Sequence, residues 1–416
     1  MKIEELKNRI EFEIQKPISE ISIINLVQDL ISYCYKARAS DIHIEPQENQ
    51  LLIKARIDGI IHELFTFPKE IQDEIISRIK ILSGLRTDEH YTPQDGRFKF
   101  FDVYSNSEFD IRVSIMPTYF GENAVLRLLV SKETSFTLET LGFSERDLKE
   151  VKRAIKKPYG MILVTGPTGS GKTTTLYTIL KTLNTGAVSI ITLEDPIEYS
   201  IPGITQIQVN PQVGLVFSTG LRAILRQDPD IIMVGEIRDE ETADIAVNAA
   251  LTGHLLLSTL HTNDAATALP RLLEMGVEPF LIASTVNIVI GQRLVRKICE
   301  NCKQERKFTT TEILSFLETI GLDLTLENIK EIKKQKFYIG KGCELCNNTG
   351  YYGRLGIFEV LPITDKIRTA IMKRADSNEI KSIAISEGMK TMIQDGFDKV
   401  VKGLTTIEEI LRVIHE

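Results

Sequence analysis

Residues 160 to 178 read Gly-Met-Ile-Leu-Val-Thr-Gly-Pro-Thr-Gly-Ser-Gly-Lys-Thr-Thr-Thr-Leu-Tyr-Thr, and Gly166 to Thr173 fit G-x-x-x-x-G-K-[ST] at every fixed position. Gly166, Gly169 and Gly171 free the backbone to curl, so that N–H groups of the loop turn inward on phosphate oxygens. Lys172 is then placed to reach the β- and γ-phosphates, and the Thr173 hydroxyl to hold Mg²⁺. Pro167, Thr168, Ser170 and Thr174 complete the stretch. Met161 to Val164 reads as a buried strand before it, and Leu176, Ile179, Leu180 and Leu183 mark one face of a helix after it. In that context the string is a nucleoside triphosphate site rather than a glycine-rich turn.

Three more apolar runs end in charged residues. Val188 to Leu193 leads into Glu194-Asp195-Pro196-Ile197-Glu198, and Ile231 to Val234 into Gly235-Glu236-Ile237-Arg238-Asp239. Leu255 to Leu260 is flanked by His254 and His261. Ligands collect at the carboxyl ends of parallel strands, where acids can hold Mg²⁺ or orient an attacking water. By residue type alone, the Glu194 cluster also fits an ordinary acidic turn, Glu236 a surface charge, and the histidines satisfied core or surface positions.

Two C-x-x-C pairs, Cys299/Cys302 and Cys343/Cys346, are separated by a long insert. Four thiolates in two such pairs match a closed, structural zinc site with no position left for catalysis. Helices are expected inside the insert, at 311–320 and 326–334. Cys34 is left over and expected to be buried in a helix.

The elements that must carry these groups follow from periodicity. Residues 1–16 form a short amphipathic helix, either packing on the next domain or docking a partner. A second helix runs from Ile23 to near Arg38. From Ala39 the period becomes two, with strands at Ser40–Glu45 and Leu51–Asp58 and a hairpin signal at Asp58-Gly59. A helix at Lys69–Leu82 precedes strands at Gly96–Tyr104, Glu108–Ile115 and Asn123–Val130. Residues 17–130 therefore read as an α+β domain with an antiparallel sheet. Arg56, Arg97, Arg112 and Arg127 lie in or beside its strands, so they can line one side of the sheet. They are either solvent-facing charge or reach the phosphates of a nucleotide on a neighbouring domain or subunit. A polar linker, 131–144, follows. Strands and helices then alternate over 145–296, the mark of a mostly parallel sheet with helices on both faces. The cysteine segment spans 297–355. A strand at Leu355–Leu361 and helices at 365–374, 376–387, 389–402 and 406–415 complete a helical end piece over 356–416, with Asp376, Thr405 and Thr406 as candidate N-caps.

Length suggests about three domains. Fifty basic against 57 acidic residues leave a net charge of −7, which argues against nucleic acid as a partner. No apolar run reaches the roughly 18 residues needed to cross a bilayer, and the acidic start Met-Lys-Ile-Glu-Glu-Leu-Lys does not read as a signal peptide. A cytoplasmic setting is expected.

Four blocks together resemble the GspE/PilB group of type II secretion and type IV pilus assembly ATPases, within the type II/IV secretion ATPase superfamily. They are the phosphate loop, Ile191–Glu198 as the Asp box, Asp228–Asp239 as an atypical Walker B segment, and Thr252–Asn263 as the His box. The resemblance implies an α/β chain: a RecA-like P-loop NTPase core preceded by an α+β (PAS-like) N-terminal domain, with a tetracysteine zinc insert and a helical C-terminal piece. It assigns Glu194 to positioning the attacking water and Glu236 to the acid near Mg²⁺. His261 and His254 would sense the γ-phosphate. Gln94-Asp-Gly-Arg97 and Asp110-Ile-Arg-Val113 resemble first-domain segments whose arginines meet the nucleotide, so Arg97 and Arg112 become trans-acting arginine fingers. Arg222 and Arg226 match a second basic segment near the site. The resemblance further implies a homo-hexamer that hydrolyses Mg-ATP to assemble a pilus or pseudopilus. Such a motor would sit beneath the inner membrane and be held there by a platform protein and a cytoplasmic adaptor. A nucleotide-gated scaffold with little turnover and a competence (DNA-uptake) pilus ATPase are the alternatives.

Overall fold

The computed structural model describes residues 1–129, 136–307, 309, 311–312 and 335–415, which group into two units, Met1–Glu133 and Thr134–Glu416. Part of the expected linker (131–135) and almost all of the two expected insert helices lie outside the described residues.

In the first unit the alternation that begins at Ala39 becomes an antiparallel sheet. Its strands are β1 (Ala39–Pro46), β2 (Gln50–Ile57), β3 (Ile60–Pro68), β4 (Gln94–Asp102), β5 (Ser107–Thr118) and β6 (Gly121–Leu129), in the order β3-β2-β1-β6-β5-β4. Asp58 and Gly59 turn β2 into β3 at φ 49° and 92°, the left-handed pair that a tight hairpin matched to strand twist requires. Ile42, Ile44, Ile53, Ile111 and Leu126 face one side. There they bury with Leu30 and Ile31 of α2 (Ile23–Lys36) and Ile75 and Ile79 of α3 (Gln72–Ser83). Cys34 is fully buried in α2. The amphipathic helix α1 (Ile3–Ile14) buries Leu6 and Ile10, and its Arg9 donates to Asp29 of α2 at 2.9 Å. Packing on its own unit is thus the arrangement this helix adopts.

The second unit is built on a seven-stranded sheet. Its strands are β7 (Gly160–Thr165), β8 (Ile190–Glu194), β9 (Thr205–Gln208), β10 (Ile231–Val234), β11 (Leu255–Leu260), β12 (Val286–Ile298) and β15 (Tyr351–Pro362), in the order β15-β12-β7-β11-β10-β8-β9. All pair in parallel except β12 with β15. A parallel sheet is covered on both faces, so its strands read as continuous apolar runs. Ile162 and Val164 of β7 pack with α4 (Glu145–Ala154) and α5 (Lys172–Leu183), while Met161 and Leu163 face the opposite layer. That layer holds α6 (Phe217–Ile224), α7 (Glu240–Leu251), α8 (Ala268–Glu274) and α9 (Pro279–Thr285).

Two strands of this seven-stranded sheet depart from the sequence reading. β9 lies in a polar stretch, and β12 occupies a region where no strand is expected. The limits expected at 296/297 and 355/356 fall within β12 and β15, which pair from Ile288↔Pro362 to Ile298↔Tyr351. The core sheet therefore continues into the cysteine segment, which adds a two-stranded ribbon of β13 (Lys303–Arg306) and β14 (Phe337–Gly340). The end piece is helical as expected, at Asp365–Met372, Ser377–Ser386, Met392–Val401 and Ile407–His415. Asp376 caps its helix by accepting from Asn378 N and Glu379 N, and Thr406 accepts from Glu409 N at 3.3 Å. Thr405 does not cap; its hydroxyl donates to Arg296 O at 2.8 Å, tying the helix start to β12. Among the described residues no helix is long and apolar enough to cross a membrane.

Candidate nucleotide and metal sites

β7 is fully buried between β11 and β12 and delivers the phosphate loop at its carboxyl end. At Gly166 a Cβ would lie 2.4 Å from Gln292 O, and Gly171 caps α5 at φ 89°, so both positions require glycine. Lys172, the first residue of α5, donates to Gly166 O at 2.7 Å and Pro167 O at 3.0 Å. Burial pushes its ammonium below the ordinary lysine value, with the charge of Glu236 acting the other way. Ser170 Oγ is buried with no partner inside the loop. An orphaned hydroxyl, a cradle closed to side chains and a lysine at a helix N-terminus together fit a triphosphate.

The neighbouring strand ends meet at the same edge. Glu194, the last residue of β8, is 3% exposed and accepts from Tyr177, Thr192 and Gln206. Gly235 N donates to Leu193 O at 2.8 Å, and Thr259 Oγ1 to Gly235 O at 2.7 Å, which locks β8, β10 and β11 together there. Just past β10, Glu236 Oε2 meets His261 Nε2 at 2.8 Å and Arg238 Nε at 2.6 Å. Thr262 O and Oγ1 bond Thr165 Oγ1 at 2.7 and 2.5 Å, fastening the His-box turn to the end of β7. Thr173 and Glu236 are the groups that could hold Mg²⁺ beside the phosphates.

One expected residue is not brought to this edge. His254 precedes β11 and sits at its amino end, across the strand from His261, with Nδ1 2.9 Å from Ala249 O. Strand direction excludes it, since residues at opposite ends of a six-residue strand stand roughly 20 Å apart. Arg222 and Arg226 are exposed at the end of α6; Arg222 pairs at 2.7 Å with Glu241, in the first turn of the α7 helix that follows Glu236, and Arg226 donates to Arg222 O at 2.9 Å.

Sequence reasoning assigned no role to Gln292 or Arg238. Gln292 is 1% exposed on β12; it donates to Ser170 O and accepts from Thr175 Oγ1, both at 2.8 Å, bracing the phosphate loop from beneath. The polar pair Gln292-Arg293 inside an apolar run is the signal that could have found it.

In the first unit the arginines form one row. Arg97 pairs across strands with Arg112, Arg112 with Arg127, Arg127 with Asp41, and Asp41 with Arg56. All therefore share the sheet face opposite α2 and α3. Asp41 takes Arg127 at 2.9 Å and Arg56 at 3.9 Å, and Asp110 takes Arg97 at 3.5 Å. Four guanidiniums in register make a positive stripe suited to a polyanion.

The sulfurs of Cys299, Cys302, Cys343 and Cys346 all lie within 4.8 Å of one another. Three separations are 3.8 Å (299–343), 3.9 Å (302–346) and 3.7 Å (343–346). A tetrahedron of Zn–S bonds near ~2.3 Å has edges of about 3.8 Å, so the donor set fits zinc. Disulfides do not fit, because bonded sulfurs stand only about 2 Å apart.

A family model described as "Type II/IV secretion system protein" matches residues 18–412. A type IV pilus assembly ATPase PilB from Thermus thermophilus is 47% identical over 407 residues, covering 97% of this chain but 44% of that protein. A type II secretion system protein E from Xanthomonas campestris pv. campestris is 48% identical, covering 96% of this chain and 68% of the relative. Among solved structures, the pilus retraction motor PilT with bound ADP shares 26% identity at TM-score 0.62, over 93% of this chain and 96% of that one. The Legionella pneumophila ATPase DotB, at 22% identity and TM-score 0.65 over 93% and 94%, shares the fold.

Proposed function

The chain belongs to the type II/IV secretion system protein family, and we propose that it is a hexameric, Mg-ATP-hydrolysing motor. It would drive assembly of a type IV pilus or a type II secretion pseudopilus from the cytoplasmic side of the inner membrane. The chain spans less than half of one curated relative and about two thirds of another. What recruits it to a platform protein and an adaptor is therefore part of the proposal.

The observation that carries the reading is the meeting of Lys172, Glu194, Glu236 and His261 at the carboxyl ends of adjacent parallel strands. Phosphoryl transfer needs positioning and charge neutralisation more than covalent chemistry. ATP lies with its phosphates on the N–H groups of residues 168–174. Glu194 orients a water, whose oxygen forms the new bond to the γ-phosphorus as the bond to the β,γ-bridging oxygen breaks. ADP leaves with that electron pair, and Lys172 offsets the charge. Thr173 and Glu236 would hold Mg²⁺, which would supply further neutralisation of the phosphates. His261, hydrogen-bonded to Glu236, senses the γ-phosphate. Arg97 and Arg112 act from an adjacent protomer, where such fingers are worth roughly 10³ to 10⁵ in rate. Zinc on the four cysteines is structural.

The test is Glu194→Gln in the full chain, with nucleotide binding and phosphate release read together. The motor reading expects binding kept, turnover lost and assembly abolished in the cell. Assembly that survives without turnover would instead establish a nucleotide-gated scaffold.

A further inference from the structure

The carboxylate of Glu194 is held by three elements at once. Tyr177 Oη, from α5, donates to Oε2. Thr192 Oγ1, from β8, donates to Oε1 at 2.5 Å, and Gln206 Nε2, from β9, to the same oxygen at 3.1 Å. A carboxylate has about four lone-pair positions, so this cage leaves one for a further donor. Gln206 is itself fixed, accepting from Ile201 N at 2.7 Å and reaching Tyr199 O at 3.1 Å. Tyr177 is fully buried and packs edge-on against Tyr199, with ring centroids 4.7 Å apart. Burial, and then the bond to Glu194, pushes the Tyr177 phenol well above its ordinary value. Its hydroxyl therefore remains a donor at any working pH and does not compete as a base.

A carboxylate buried only for stability would also be satisfied. What sets this one apart is the origin of its donors. Tyr177 stands four residues after Thr173, on the same face of the helix that Lys172 begins. The helix whose first turn grips phosphate thus carries the group that grips Glu194. The geometry points to Tyr177, supported by Gln206 and Thr192, as a positioning residue. It keeps Glu194 oriented with one lone pair open to the attacking water. This rests on the reading of Glu194 as the water-orienting acid.

The experiment is a double-mutant cycle on the full chain with Tyr177→Phe, Glu194→Gln and both together. It reads phosphate release, ATP KM, affinity for a fluorescent ATP analogue, and Tm. Tyr177→Phe is expected to lower kcat roughly 10- to 100-fold with KM and affinity unchanged. Added to Glu194→Gln, it should cost nothing further, because both act through one carboxylate. Gln206→Leu, at the sheet edge, is expected to give the same pattern more weakly, and it keeps the test open should Tyr177→Phe not fold. Full kcat in Tyr177→Phe, or a loss that multiplies in full with that of Glu194→Gln, would overturn the positioning role while leaving the Glu194 reading intact. Undiminished kcat in Glu194→Gln would overturn both.

Discussion

At the scale of single residues, the site is a set of charges whose partners are already chosen. Glu236 is 8% exposed and holds both His261 and Arg238 on one oxygen. Replacing it with Gln removes the negative charge that both of these groups meet and that, in the proposed mechanism, would help to hold Mg²⁺. Glu236→Gln should abolish the Mg²⁺ dependence of ATP affinity and lower kcat roughly 10²-fold, measured by titration of nucleotide with and without Mg²⁺. The placement of Lys172, Glu194, Glu236 and His261 at strand ends was legible because each lies in or directly after a short apolar run or glycine loop, while the roles of the two acids and His261 came only from the family resemblance. His254 was misplaced for the complementary reason. It sits in the same segment as His261, and only strand direction shows that the two belong to opposite ends of β11.

Elements explain what periodicity could not show. β12 carries Gln292 under the phosphate loop and, seven residues later, hands the chain to Cys299. Its apolar run is uninformative alone, because a buried strand and a buried helix segment read alike over that length. β9 was invisible because it is a polar edge strand, defined by pairing with β8 rather than by its own pattern. The antiparallel sheet of the first unit was readable almost strand by strand, since one face is wet and alternation survives. At this scale the last helix, Ile407–His415, depends on Glu409. Burial would raise that carboxyl, but hydrogen bonds from Arg412 and Arg296 outweigh it and hold it down at about 2. A depressed carboxyl adds stability that is present above its unfolded value and lost as pH falls through the folded one. Amide-exchange protection over 405–415 should therefore fall between about pH 4.5 and 2, and Glu409→Gln should flatten that dependence. The four cysteines predict one equivalent of zinc per chain by metal analysis. Its removal by a chelator should expose the 299–350 segment to proteolysis, as metal binding contributes on the order of 10 kcal/mol to such folds.

The whole molecule falls into two units: one carries the phosphate loop and acids, the other an arginine row. If the row serves a neighbouring protomer, chains with Lys172→Ala and chains with Arg112→Ala are each inactive but complementary. Co-expressed mixed rings should recover part of the wild-type rate, because an intact loop then meets an intact arginine; recovery of none would place the arginine's action within its own chain. The family resemblance of the sequence and the meeting of strand ends in the fold converge on one claim, that this edge of the sheet splits ATP. The measurement that tests it most directly is phosphate release by the full chain at saturating Mg-ATP, side by side with Lys172→Ala. Steady turnover is predicted in the first and none above background in the second. Equal rates in both, whether high or zero, would contradict it.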